Sequence, residues 1–256
     1  MALFGKSSNP AMKESIFEKA ALAGSPNGVM TVKGTVVKTG LLILMTILAA
    51  AFTWNMVSTA NAMSSVTPWI WGGAIVGFIL AMVISFKPNI APYLSPLYAI
   101  AQGFFLGAIS AIYEIAFADS FPGIVITAVS ITLLTTLVML FLYQTRVIKV
   151  TQKFRSVIIG ATASVAVFYL VVIVLNLFNV STPFIHGSSL LSIGISVVVV
   201  IIAALNLLLD FDFIEKGSEM GAPKHMEWYG AFGILVTLIW LYLEILRLLS
   251  KLASRN

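Results

Sequence analysis

The chain has 256 residues, of which 59% are hydrophobic and only 10% charged, and its mean hydropathy is +1.02. A soluble domain carries roughly a quarter charged residues, so this composition is that of a polytopic membrane protein, all-α in fold class. The net charge of +5 forms no basic patch with interleaved aromatics, so no nucleic acid is expected as a partner, and the absence of cysteine excludes disulfides, thiolate metal sites and cysteine nucleophiles.

Residues 1–35 read as a cytoplasmic N-terminal tail. Lys6, Lys13, Glu14, Glu18 and Lys19 interrupt every apolar stretch a signal peptide would need, so this segment is expected to remain uncleaved. Within it, "NPAMKESIFEKAALAG" predicts a short interfacial helix, with Asn9 as cap, Pro10 in the first turn, and Met12, Ile16 and Ala20 along one face.

Residues 36–256 read as one membrane domain. A spanning helix needs about 20 mostly apolar residues, and seven such runs occur: 39–57, 69–86, 96–118, 123–143, 156–177, 190–214 and 228–251. The connections carry turn residues, as in "SSVTP", "FKPNIAPYLSP", "ADSFPG" and "NVSTPFIHGSS". Basic residues collect in alternate connections. Twelve lysines and arginines precede the first span or follow the second, fourth and sixth, and none lies in the other three loops. That asymmetry predicts a multi-pass protein of the cell membrane with its N-terminus in the cytoplasm. Arg247, Lys251 and Arg255, at the far end of the seventh span, run against it; a full crossing is expected, with these side chains reaching the headgroups.

A charged carboxylate near the bilayer centre costs at least about 2.5 kcal/mol, so it stays there only with a partner, a proton or water. Three carboxylates qualify: Glu114 closing the third span, Asp210 late in the sixth and Glu244 within the seventh. Gly103, Gly107, Ser110 and Glu114 share one helical stripe, and "GFFLG" presents small residues to a neighbouring helix. Gly233, Thr237, Trp240, Glu244 and Arg247 form a second stripe, and both are expected to face the bundle interior. Asn206 precedes Asp210 by one turn on the same face, whereas Asp212 is about 200° further round. Asp210 is therefore read as the inward group and Asp212 as an interfacial residue near Glu215 and Lys216. Blander readings stand beside these: ordinary end-of-helix charges for Asp210 and Asp212, an ion pair with Arg247 for Glu244, and simple contact with water for Glu114.

The stretches "SPLYAIAQGFFLGAIS", "NLLLDFDFIEKG" and "EWYGAFGILVTLIWLYLEILRLL" resemble the Bax inhibitor-1 family, also called the transmembrane Bax-inhibitor-motif family, and most closely its bacterial YccA-like branch. The resemblance implies a seven-helix bundle with the C-terminal helix central. It also implies a pH-sensitive calcium leak, closed by an acidic dyad to which Asp210 and Glu244 correspond. Glu244 stands where members with the clearest leak behaviour carry Asp. Two carboxylates held close in a poorly hydrated bundle share a proton and titrate as a coupled pair, which makes them a pH sensor. Calcium at this pair is expected to bind transiently, as a permeant ion and not a cofactor, because two carboxylates fall short of the six to eight oxygens of a tight site. Asn206, Glu114, Arg247 and Asp212 are the supporting or pore-lining candidates. Some bacterial relatives modulate a membrane-bound AAA protease, which gives the alternative of a binding partner without transport. No HExxH, GxSxG or phosphate-binding loop occurs and both histidines, His186 and His225, fall in loops, so no enzymatic activity is expected.

Overall fold

The structure, a computed structural model, describes residues 28–60, 67–178 and 187–255. The interfacial helix expected near the N-terminus and the loop containing His186 lie outside those residues. Among the described residues seven α-helices follow in order: α1 Val32–Ala60, α2 Thr67–Phe86, α3 Ala91–Ala116, α4 Ile124–Gln144, α5 Gln152–Leu177, α6 Leu190–Glu219 and α7 Met226–Ala253. All seven are long and apolar enough to cross a membrane. Two thirds of the most apolar stretch of α7 is buried (67%), against 17–44% for the other six, as a helix enclosed by its neighbours requires.

Several boundaries differ from those the sequence predicts: α1 begins at Val32 where the apolar run begins at 39, α5 begins at Gln152 where its run begins at 156, and two others are instructive. The segment "FKPNIAPYLSP" reads as a loop, but a single 3₁₀ turn at Pro88–Ile90 leads directly into α3, and Pro96 lies inside that helix. As the sixth residue of the helix, Pro96 lies just past the four N–H groups that have no intrahelical acceptor, so it costs one backbone bond, the one to the Pro92 carbonyl. The sixth span, ended at residue 214 by its apolar run, continues as helix to Glu219. Glu215, Lys216 and Glu219 end the hydropathy without ending the helix, since all are good helix formers.

The chain divides into two compact units. The first comprises α1 to α3 with 212–236, the last turns of α6 and the first turns of α7. Its packing follows from small and hydroxylated residues. Thr35, Thr39, Leu42, Thr46, Ala49, Thr53 and Val57 recur every three or four residues along α1, and all are buried. Each threonine hydroxyl bonds a carbonyl one turn back, so the stripe is polar in composition but satisfied. Thr46 also reaches the Ala99 carbonyl of α3 at 3.2 Å. Opposite it, Gly103 of α3 lies so close to α1 that a Cβ there would sit 2.5 Å from the Thr46 carbonyl oxygen. Gly107 meets Ala50 and Thr53 in the same way, so the "GFFLG" surface is where α1 approaches. In the same unit the segment entering α1 is tied to the connection after α6: the Met30 amide donates to the Ala222 carbonyl at 2.6 Å, and the Lys224 amide donates to the Gly28 carbonyl at 3.1 Å.

The second unit comprises 117–211 and 237–256, that is α4, α5, most of α6 and the C-terminal part of α7. Its core is aliphatic, with Val199, Ala203, Leu207 and Leu208 of α6 and Leu238, Leu241, Ile245 and Leu246 of α7 all buried. Every predicted inward carboxylate except Glu114 belongs to this unit.

Candidate functional site

Four of the six residues singled out from sequence, Asn206, Asp210, Glu244 and Arg247, lie in the second unit. The carboxylates and Asn206 are almost fully buried, Asn206 at 4%, Asp210 at 1% and Glu244 at 2% exposure. Asn206 uses its amide nitrogen twice, toward the Thr162 hydroxyl on α5 and the Ile202 carbonyl one turn back, both at 2.8 Å. One turn further along, Asp210 Oδ2 accepts a hydrogen bond from the Thr237 hydroxyl of α7 at 2.5 Å. Because α6 runs nine residues past Asp210, this carboxylate lies about 13.5 Å inside the helix end. Thr237 lies eleven residues into α7 and meets it there.

Glu244 is held by a different set. The Tyr169 hydroxyl of α5 lies 2.9 Å from both of its carboxylate oxygens. Trp240 Nε1 donates to Oε1 at 3.3 Å, and Arg247 Nη1 lies 3.1 Å from both oxygens. Arg247 also donates to the Tyr169 hydroxyl and stacks its guanidinium over the Tyr169 ring at 4.9 Å. The ion pair with Arg247 is therefore present, as one of the two sequence readings has it, and Tyr169 binds both partners. The bonds of Asp210 and Glu244 run to separate partners at two levels of α7, and no hydrogen bond joins the two as the expected proton-sharing pair. Thr237 and Glu244, seven residues apart on one face, are about 10.5 Å apart along the axis.

Lys251, one turn beyond Arg247, does not extend to the headgroups. Its ammonium turns inward and is 6% exposed, donating to the Ser196 hydroxyl at 2.7 Å and the Ser192 carbonyl at 3.2 Å on α6.

Asp212 and Glu114 belong to the other unit. Asp212 is buried and receives the Lys216 ammonium at 2.7 Å, an i,i+4 pair on the last turns of α6. Glu114 is half-buried near the end of α3. His225 sits between α6 and α7, and partial burial lowers its imidazole pKa from the ordinary 6.5. Among the described residues no group of three or more His, Asp or Glu is placed to hold a metal ion.

Two residues carry more of the polar network than sequence reasoning assigns them. Tyr169 is one; inside "VAVFYLVVIVL" a tyrosine is indistinguishable from a lipid-facing aromatic. Glu227 is the other. It opens α7, is fully buried, and accepts from the Thr31 amide at 3.0 Å, the Thr31 hydroxyl at 2.8 Å and Lys224 at 2.8 Å, with Lys38 as a further ion-pair partner. Lys38 also stands over the Trp228 ring at 5.6 Å. An acidic residue in a first turn reads as a helix-dipole partner, which hides this role. A lysine three residues upstream, and another on the first helix where lipid would be expected, are the signals that point to it.

A family model described as Bax inhibitor 1 like matches residues 9–254. No curated protein and no solved structure matches the chain.

Proposed function

The chain belongs to the Bax inhibitor 1 like family of multi-pass membrane proteins, and we propose that it is a pH-sensitive calcium leak whose closure depends on the protonation of Asp210 and Glu244. The observation that carries this reading is the burial of two carboxylates at the membrane depth of one unit, each held by polar side chains of α5 or α7. A bilayer-spanning chain keeps such groups, at a cost of several kcal/mol, where they serve ions or protons. The two need not touch to act together. Each carboxylate has its own polar partners, Thr237 for Asp210 and Tyr169, Trp240 and Arg247 for Glu244, and the reading rests on the charge of this set. A change in its charge alters the hold of Thr237 on α6 and of Tyr169 and Arg247 on Glu244, which are the contacts any opening of this unit must break. Calcium passes these oxygens with brief coordination, as two carboxylates and a few hydroxyls allow. The cell membrane, an N-terminus in the cytoplasm and the YccA-like branch belong to the same reading.

Calcium flux into sealed liposomes containing this protein alone tests it. A flux above that of empty liposomes, with a pH-dependent rate, is expected. A flux equal to that of empty liposomes at every pH between about 5 and 8, the range in which such a pair titrates, overturns the leak and favours the protease-modulator alternative.

A further inference from the structure

We propose that the Ser192 carbonyl oxygen and the Ser196 hydroxyl form a small monovalent-cation site on α6, which the Lys251 ammonium fills as a tethered plug. Lys251 is 6% exposed within a span, four residues beyond Arg247 on the same helix. A lysine at the end of a spanning helix ordinarily sends its ammonium to the headgroups, because burying the charge costs several kcal/mol. Here the side chain gives up that route and places its charge against two oxygens of the neighbouring helix, at 2.7 and 3.2 Å. Ser192 is fully buried and Ser196 is 3% exposed, so the oxygens are built into the helix interface and not borrowed from its surface. A hydroxyl and a carbonyl within reach of one nitrogen are two of the oxygens that a cation of ammonium or potassium size takes, with water for the rest, and an ammonium donates where a metal ion accepts lone pairs.

The surrounding charges fit a plug. Going along α7, Asp210 is bound at the level of Thr237, Glu244 comes seven residues later, and Arg247 and Lys251 follow. The polar stripe is thus acidic in its first half and basic in its second. Arg247 is paired with Glu244, whereas Lys251 bonds two neutral oxygens, and its positive charge adds to that of Arg247 at that end of the path. A cation moving along the stripe meets this charge last, and must displace it from the oxygens or pass against it. The plug rests on the leak reading above; the site itself does not.

Two measurements separate them. The first is thermal unfolding in detergent of wild type, Lys251→Ala and Ser196→Ala, each in methylammonium, potassium and tetraethylammonium chloride. Lys251→Ala is expected to melt several degrees below wild type and to recover part of the loss in methylammonium or potassium but not in tetraethylammonium. Ser196→Ala, which keeps the ammonium and loses an oxygen, is expected to melt lower without recovery in any salt. No selective recovery of Lys251→Ala overturns the site. The second is calcium flux in liposomes for wild type and Lys251→Gln, with a severalfold rise expected in the variant. Recovery of melting with no rise in flux overturns the plug and leaves the leak standing. Absence of flux from both proteins overturns the leak and the plug together.

Discussion

Glu244 and Glu227 are both buried acids on α7, and their partners differ. Glu227 accepts from four groups, Lys38 and Lys224 among them, and Gly34 of α1 leaves the room its carboxylate needs. It pins the entry of α1 to the start of α7 and has no spare capacity for a proton. Glu244 is bound by a neutral hydroxyl, an indole and one guanidinium that is 38% exposed. Removing one partner of a buried ion pair typically costs about 3–5 kcal/mol. Glu227→Ala is therefore expected to lower stability by about that amount, read as a fall in the melting temperature, while Glu227→Gln, which keeps the shape and part of the hydrogen bonding, loses less. Equal melting of Glu227→Ala and wild type would remove the pin. Of these residues, Asp210, Glu244 and Asn206 are legible as inward groups because a polar side chain in an apolar run has few explanations. Tyr169 and Glu227 are not, because an aromatic in a lipid-facing run and an acid in a first turn both have ordinary ones.

Helix existence is legible because each span must hide its backbone from lipid, which forces about 20 apolar residues into one run. Helix ends are less so, since hydropathy stops where charge begins and the hydrogen-bonded ladder does not. The five residues from Glu215 to Glu219 and the turn before Pro96 show this in opposite ways, one charged and one proline-rich, both helical. Helix pairing is legible where backbones touch: "GFFLG" marks the approach of α1 to α3, and the structure places Gly103 and Gly107 there. Gly160 on α5 faces open space by contrast. Gly107→Ala is expected to destabilise by about 1–3 kcal/mol through overpacking, whereas Gly160→Ala is expected to stabilise by up to about 1 kcal/mol through helix propensity. Thermal or denaturant unfolding of the two variants checks the opposite signs. A stabilising Gly107→Ala would contradict the close approach of α1.

For the whole chain, the distribution of lysine and arginine predicts which side each connection faces, and the complete lack of cysteine makes the prediction simple to test. Single cysteines at Asn61 and Ser181 are expected to react with an impermeant thiol reagent added outside intact cells, and a cysteine at Gln152 only after the membrane is opened. The reverse pattern would invert the orientation. Which groups lie along the path from one side to the other is less legible from sequence, because it depends on where side chains turn: Lys251, with the composition of a headgroup-seeking residue, turns inward to Ser192 and Ser196.

The central claim is that Asp210 and Glu244 together set the pH response of calcium flux, and the pH profile of that flux in liposomes, compared among wild type, Asp210→Asn, Glu244→Gln and Asp212→Asn, tests it most directly. An amide does not titrate, so Asp210→Asn and Glu244→Gln are each expected to flatten the profile between about pH 5 and 8. Asp212, paired with Lys216 in the other unit, is expected to leave the profile nearly intact when changed to Asn. A wild-type-like profile in both Asp210→Asn and Glu244→Gln, or a flattened one in Asp212→Asn alone, would contradict the account.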